Sequence, residues 1–142
     1  MDIYQEHILD LYKHPLNKGK LDDAQVHQHE MNSSCGDNFI FHLLFEKNKL
    51  KDVKFEGIGC AISVASASLL TEKVKGMNIQ QIAQLTKEDV LEWLGVELSP
   101  SRLKCALLPL QALSRGIITF TQQHQKDSPN PQQSHIAPPR DE

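Results

Sequence analysis

Three cysteines and one aspartate carry the clearest chemistry in this chain. Cys35 and Asp37 flank a glycine in Asn32-Ser33-Ser34-Cys35-Gly36-Asp37, Cys60 follows Gly57-Ile58-Gly59, and Cys105 follows Arg102-Leu103-Lys104. Gly36 lets the backbone fold back, so that the Cys35 thiolate and the Asp37 carboxylate can converge on one point. Cys60 stands where a helix is expected to begin, and the unpaired N–H groups there favour thiolate over thiol. Three soft thiolates and one hard oxygen make a four-ligand set that suits tetrahedral Zn²⁺, iron or an iron–sulfur cluster. The oxygen is informative. A purely structural zinc site uses Cys and His throughout, whereas one carboxylate leaves a weaker, exchangeable position.

Composition by itself leaves three buried thiols as the default reading, which the motifs overturn, but it does exclude other classes. The cysteine count of three is odd, unlike the even counts of a secreted disulfide framework. The N-terminus carries an acidic pair, Asp2 and Glu6, where a signal peptide carries basic residues, so the chain reads as cytoplasmic. With 15 basic and 18 acidic residues and a formal net charge of −3, it has no basic stripe with interleaved aromatics, and nucleic acid is not an expected partner. Its apolar runs fall short of the roughly 20 residues that span a bilayer, so no membrane segment is expected. His27 and His29 share one strand face and could bind metal, but they read better as an exposed, solvated pair. The Ser/Ala-rich run from Ala61 to Ser68 reads as tight helix packing, with no partnered His–Asp pair to activate a serine.

The elements that must position these groups are legible in part. Ile3, Ile8, Leu9 and Tyr12 share a helical face over residues 2–12, which His14-Pro15 terminates. A short strand is expected near 24–30. Phe39, Phe41, Leu43 and Phe45 alternate with Ile40, His42 and Leu44, and Val53 and Phe55 continue the alternation beyond a Lys47-Asn48-Lys49 turn, which predicts a hairpin. A slim helix follows Cys60 and ends before Gly76 as its C′ residue. Asn78 caps a short helix through Leu85, Thr86-Lys87-Glu88-Asp89 resembles a capping box for a helix ending at Gly95, and Ser99-Pro100 opens a helix running to about Phe120. Pro109 cannot donate to the Cys105 carbonyl, so a kink exposing that turn is expected. Residues 1–120 form one α+β domain, a small antiparallel sheet packed by helices, and residues 121–142 read as a disordered polar tail.

Three motifs in order, Cys-Gly-Asp, Gly-x-Gly-Cys-Ala-Ile-Ser-x-Ala-Ser-Ala-Ser and Arg-x-Lys-Cys-Ala-x-Leu-Pro-Leu, resemble the IscU/SufU/NifU N-terminal family of iron–sulfur cluster assembly scaffolds and sulfur acceptors. The similarity begins in the first helix, includes His14-Pro15-x-Asn17-x-Gly19, and runs to about residue 120. It implies a SufE/NifU-like fold, a cysteine desulfurase as sulfur donor and apo iron–sulfur proteins as recipients. It also implies ligand roles for Cys35, Asp37, Cys60 and Cys105, with Cys105 a candidate persulfide acceptor alongside the other two cysteines. Lys104 stands where IscU-type scaffolds carry histidine and looks more like SufU; its ammonium is expected to modulate the Cys105 thiolate. The insertion common in SufU proteins between the second and third cysteines is absent. Leu98-Ser99-Pro100-Ser101-Arg102 replaces the Leu-Pro-Pro-Val-Lys signal of IscU proteins, so docking of a dedicated Hsp70-type chaperone is not implied. Three functions stay open: a non-enzymatic scaffold holding iron or a [2Fe–2S] cluster, a zinc-dependent sulfurtransferase of SufU type, and a structural zinc module.

Overall fold

Large apolar residues at every second position, Phe39, Phe41, Leu43 and Phe45 on one strand and Val53 and Phe55 on the next, give the molecule its central hairpin. The computed structural model describes residues 3–33 and 36–127. Helix α1 (Ile3–Lys13) precedes strands β1 (Val26–Asn32), β2 (Asp37–Glu46) and β3 (Lys49–Ile58), and helices α2 (Ala61–Val74), α3 (Ile79–Ala83), α4 (Lys87–Leu94) and α5 (Pro100–Asp127) follow. The sheet is antiparallel in the order β1-β2-β3, so the α+β expectation holds. Lys47 and Asn48 both take positive φ, 53° and 65°, and close the hairpin with the two-residue turn whose twist matches the strands.

One face of the sheet is dry. Phe39, Phe41, Leu43 and Phe55 are fully buried, and the three phenylalanine rings pack with centroids 5.8 to 6.0 Å apart. Helix α5 covers β1 and β2, while α2 runs beside it and packs on α1, α4 and β3. Small residues let α2 approach closely, and its buried hydroxyls are paired. The Ser66 hydroxyl donates to the Ala106 carbonyl at 2.6 Å, Ser68 donates to Leu11 at 3.4 Å, and Thr71 donates to Ala67 at 2.6 Å. Each bond removes the 1–3 kcal/mol or so that an unpaired buried hydroxyl would cost.

Several boundaries differ from expectation. Strand β1 starts and ends two residues later than 24–30. Gln25 bonds the Phe45 main chain through its side chain in both directions, at 2.8 and 3.0 Å, ahead of the first strand residue, and pairing persists to Asn32 opposite Asp37. Capping boxes at Asn78–Gln81 and Thr86–Asp89 start α3 and α4, and Gly95 ends α4 at φ 71°. Helix α5 continues to Asp127, past the expected end near 120; residues 128–142 of the expected tail lie outside the described residues. Among the described residues no helix is long and apolar enough to cross a membrane.

The far end of α5 is anchored by Phe120, which stacks on Phe45 with ring centroids 4.1 Å apart. Phe120→Ala is expected to destabilise the domain by about 3 kcal/mol, the low end for a buried phenylalanine because the ring lies near a helix end. Urea unfolding measures this, and a loss below about 1 kcal/mol would show that the stack does not anchor the helix.

Candidate metal centre

Asp37 opens β2, and its side chain is fully buried. Its Oδ1 accepts hydrogen bonds from the Cys60 N–H and the Ser63 hydroxyl, both at 3.1 Å. Its Oδ2 is buried and has no hydrogen-bond partner among the described residues. Leaving a charged oxygen so placed costs more than the 1–3 kcal/mol typical of a neutral group, unless a cation meets it.

Cys60 is the N-cap of α2, with extended φ −77° and ψ 172°, and its sulfur accepts the Ser63 N–H at 3.4 Å. The chain can bring this turn against Asp37 because residue 59 is glycine. A Cβ there would lie 2.3 Å from the Ser63 hydroxyl oxygen and 2.9 Å from Asp37 Oδ1. Gly36, before Asp37, takes φ 74°, the left-handed turn anticipated for it. Burial opposes the Cys60 thiolate, as does the neighbouring Asp37 charge. Hydrogen bonds from the Ser63 N–H, the Ser63 side chain and Cys105 outweigh both, and the thiol titrates below its ordinary value.

Cys105 arrives from the first turns of α5, and its thiol points toward the Ser101 carbonyl at 3.7 Å. The expected exposure of this turn is not found: Cys105 is fully buried and α5 continues as helix through Pro109. Packing explains the difference, since the next carbonyl, that of Ala106, is taken by Ser66 and the turn is pinned on α2.

Ligand atoms of Asp37, Cys60 and Cys105 all lie within 4.8 Å of one another. A borderline divalent cation fits such a carboxylate–thiolate set, and the unpaired Asp37 oxygen is the point of greatest need for one. Cys35 lies outside the described residues. Lys104 lies on the exposed side of α5, where with Met31, Leu103 and Leu107 it lines a surface groove of about 420 Å³. His27 and His29 are not a simple solvated pair: His27 meets His42, and His29 meets Asn38. Ser63 is the site residue that sequence reading assigned to packing alone. Its signal was the three-residue spacing from Cys60, the separation at which a cap meets its N3 residue.

A small antiparallel sheet with helices on one face and a Cys/Asp centre at the β2–α2 junction defines the class. Residues 3–127 match the NifU-like N terminal domain, and the chain belongs to that family. It is similar to the zinc-dependent sulfurtransferase SufU of Bacillus subtilis, 35% identical over 132 residues, covering 81% of this chain and 89% of the relative. It is equally similar to the iron–sulfur cluster assembly scaffold protein IscU of Thermotoga maritima, 35% identical over 131 residues and covering 81% and 92%. A crystal structure of the iron–sulfur cluster assembly scaffold protein for the SUF system from Fervidobacterium islandicum superposes with a TM-score of 0.71 at 32% identity, covering 79% of this chain and 94% of that one.

Removing the Ser63 hydroxyl should raise the Cys60 thiol pKa, because one of the bonds that favours the thiolate is lost. In metal-free protein the alkylation rate of Cys60 in Ser63→Ala is therefore expected to rise at higher pH than in the parent. Superimposable rate–pH curves would show that the hydroxyl does not support the thiolate.

Proposed function

We propose that this chain is an iron–sulfur cluster assembly scaffold, on which sulfur from a cysteine desulfurase and iron meet before transfer to apo iron–sulfur proteins. The observation that carries the reading is the buried Asp37 carboxylate oxygen with no hydrogen-bond partner among the described residues, set beside two cysteines. Cys35, Asp37, Cys60 and Cys105 are the proposed ligands, and iron or the [2Fe–2S] cluster is the cargo. The partly exposed Cys60 suits first acceptance of sulfur better than the buried Cys105. In that step the Cys60 thiolate attacks the terminal sulfur of the donor's persulfide. The donor's S–S bond breaks, its cysteine leaves as thiolate, and a new persulfide forms on Cys60. Lys104 is no ligand in this scheme; its side chain lies on the exposed side of α5. The reducing cytoplasm, where free thiols persist, is the proposed setting.

A second reading rests on Lys104 beside Cys105 and on the similarity to a zinc-dependent sulfurtransferase. There, Zn²⁺ held by the same residues would be a resident ion, and its role would be to keep the thiols deprotonated until a desulfurase arrives.

Anaerobic incubation with ferrous iron, cysteine and a desulfurase separates the two. A scaffold develops the visible absorption of a cluster and passes it to an apo-ferredoxin. A relay retains zinc, raises desulfurase turnover and forms no cluster. For the scaffold, Asp37→Ala should still assemble a cluster on the remaining thiolates but release it at least several-fold more slowly, because the exchangeable oxygen is gone. Transfer at or above the parental rate would remove the labile-ligand role from Asp37.

A further inference from the structure

The helix-free face of the sheet carries a second cluster of metal-ligating side chains, remote from the cysteine centre. His27 and His42 are directly opposed across β1 and β2, and their Nδ1 atoms approach to 2.6 Å with the rings edge to face. His42 Nε2 is 2.8 Å from a carboxylate oxygen of Glu56 on β3. Although it points away from the core, His42 is only 5% exposed, whereas His27 is exposed. His42 lies five residue steps along β2 from Asp37, about 17 Å, so the two clusters share no ligand.

The proton arrangement follows from the partners. An ionised Glu56 only accepts, so His42 Nε2 carries the hydrogen, and in the neutral ring Nδ1 is then a lone pair aimed at His27. This is the second-shell pattern of metal-binding histidines, in which a carboxylate takes one ring N–H and leaves the other nitrogen as a basic ligand of fixed direction. In the metal-free chain His27 fills the position by donating its own Nδ1–H. Moving that proton to Nε2 of His27 turns both Nδ1 atoms into donors of electron pairs facing one another, with no net proton released.

From these contacts we propose that His27 and His42 form a binding site for a borderline divalent cation such as Zn²⁺, oriented by Glu56 and completed by water. Two nitrogens on a tetrahedral Zn²⁺, each about 2.0–2.1 Å from the metal, stand ~3.3 Å apart, so the rings need open by only about 0.7 Å. Imidazole nitrogen suits this class of ion, and the exposed His27 gives it a path from solvent. His29 does not take part, because its ring is turned to Asn38. Lys54, opposite His42 on β3, is the one cation nearby among the described residues of these three strands' facing positions, and its chain lies over Gly19.

The test titrates Zn²⁺ into the metal-free full-length chain while the ring nitrogens of each histidine are followed by NMR, a residue-specific readout that the cysteine centre does not confuse. Nδ1 of His27 and His42 should shift together and saturate, with His29 unmoved. His27→Gln, at an exposed position that leaves the core intact, should weaken the His42 response at least tenfold. Glu56→Gln should weaken it roughly tenfold, the usual cost of losing an orienting carboxylate. If neither Nδ1 responds to Zn²⁺, or if His42 binds equally well in His27→Gln, the contact is a hydrogen bond alone and the site is refuted.

Discussion

The Asp37 carboxylate is the joint on which the functional end of this molecule turns. One of its oxygens receives the Cys60 N–H and the Ser63 hydroxyl, and so ties the start of β2 to the start of α2. Burying that charge is unfavourable unless it is well paired, and only half of its acceptor capacity is met by the described residues. The surrounding sequence serves this arrangement. Residue 59 must be glycine for the chain to pass so near the carboxylate, and residue 63 must be small and carry a donor. Cys105 is then added from α5, whose position is set by the small residues of α2 and by the dry face of the sheet.

Energetically the centre sits at the end of a well-filled core. One Asp37 oxygen there has no hydrogen-bond partner among the described residues, while a few residues away Phe39, Phe41 and Phe55 pack without exposure. That contrast, rigid apolar support beneath polar groups, is what a binding site requires. It also bears on the thiol of Cys60, which burial pushes up and hydrogen bonds from Ser63 and Cys105 bring below its ordinary value.

Much of this was legible in the residues. The hairpin was, because Phe39, Phe41, Leu43 and Phe45 recur at every second position and a turn follows. The capping residues at 78 and 86 were, because each places a side-chain oxygen before a helical run. The approach of Asp37 to Cys60 was in part, because each follows a glycine at an element boundary, whereas Cys105 lies inside α5 with no glycine beside it. What escaped had long-range causes. Nothing local in Lys104-Cys105-Ala106 shows that Ser66, forty residues earlier, holds that turn down. The polar appearance of residues 121–127 hid the helix, which propagates from a packed N-terminal part and needs little burial of its own to continue. The pairing of His27 with His42 depended on the register between β1 and β2, which is decided by pairing across the sheet rather than by either strand alone.

Helix α5 is held at two places by unrelated forces: near its start by Cys105 and the Ser66 bond, and near its end by Phe120 on Phe45. An occupied centre would add coordinate bonds to the first anchor only. Local opening of the opening turns of α5 would then become rarer, and its amides slower to exchange with solvent, while the turns around Phe120 would breathe as before. One helix would thus report on two things at once, its first half on the state of the cargo and its second half on the integrity of the core.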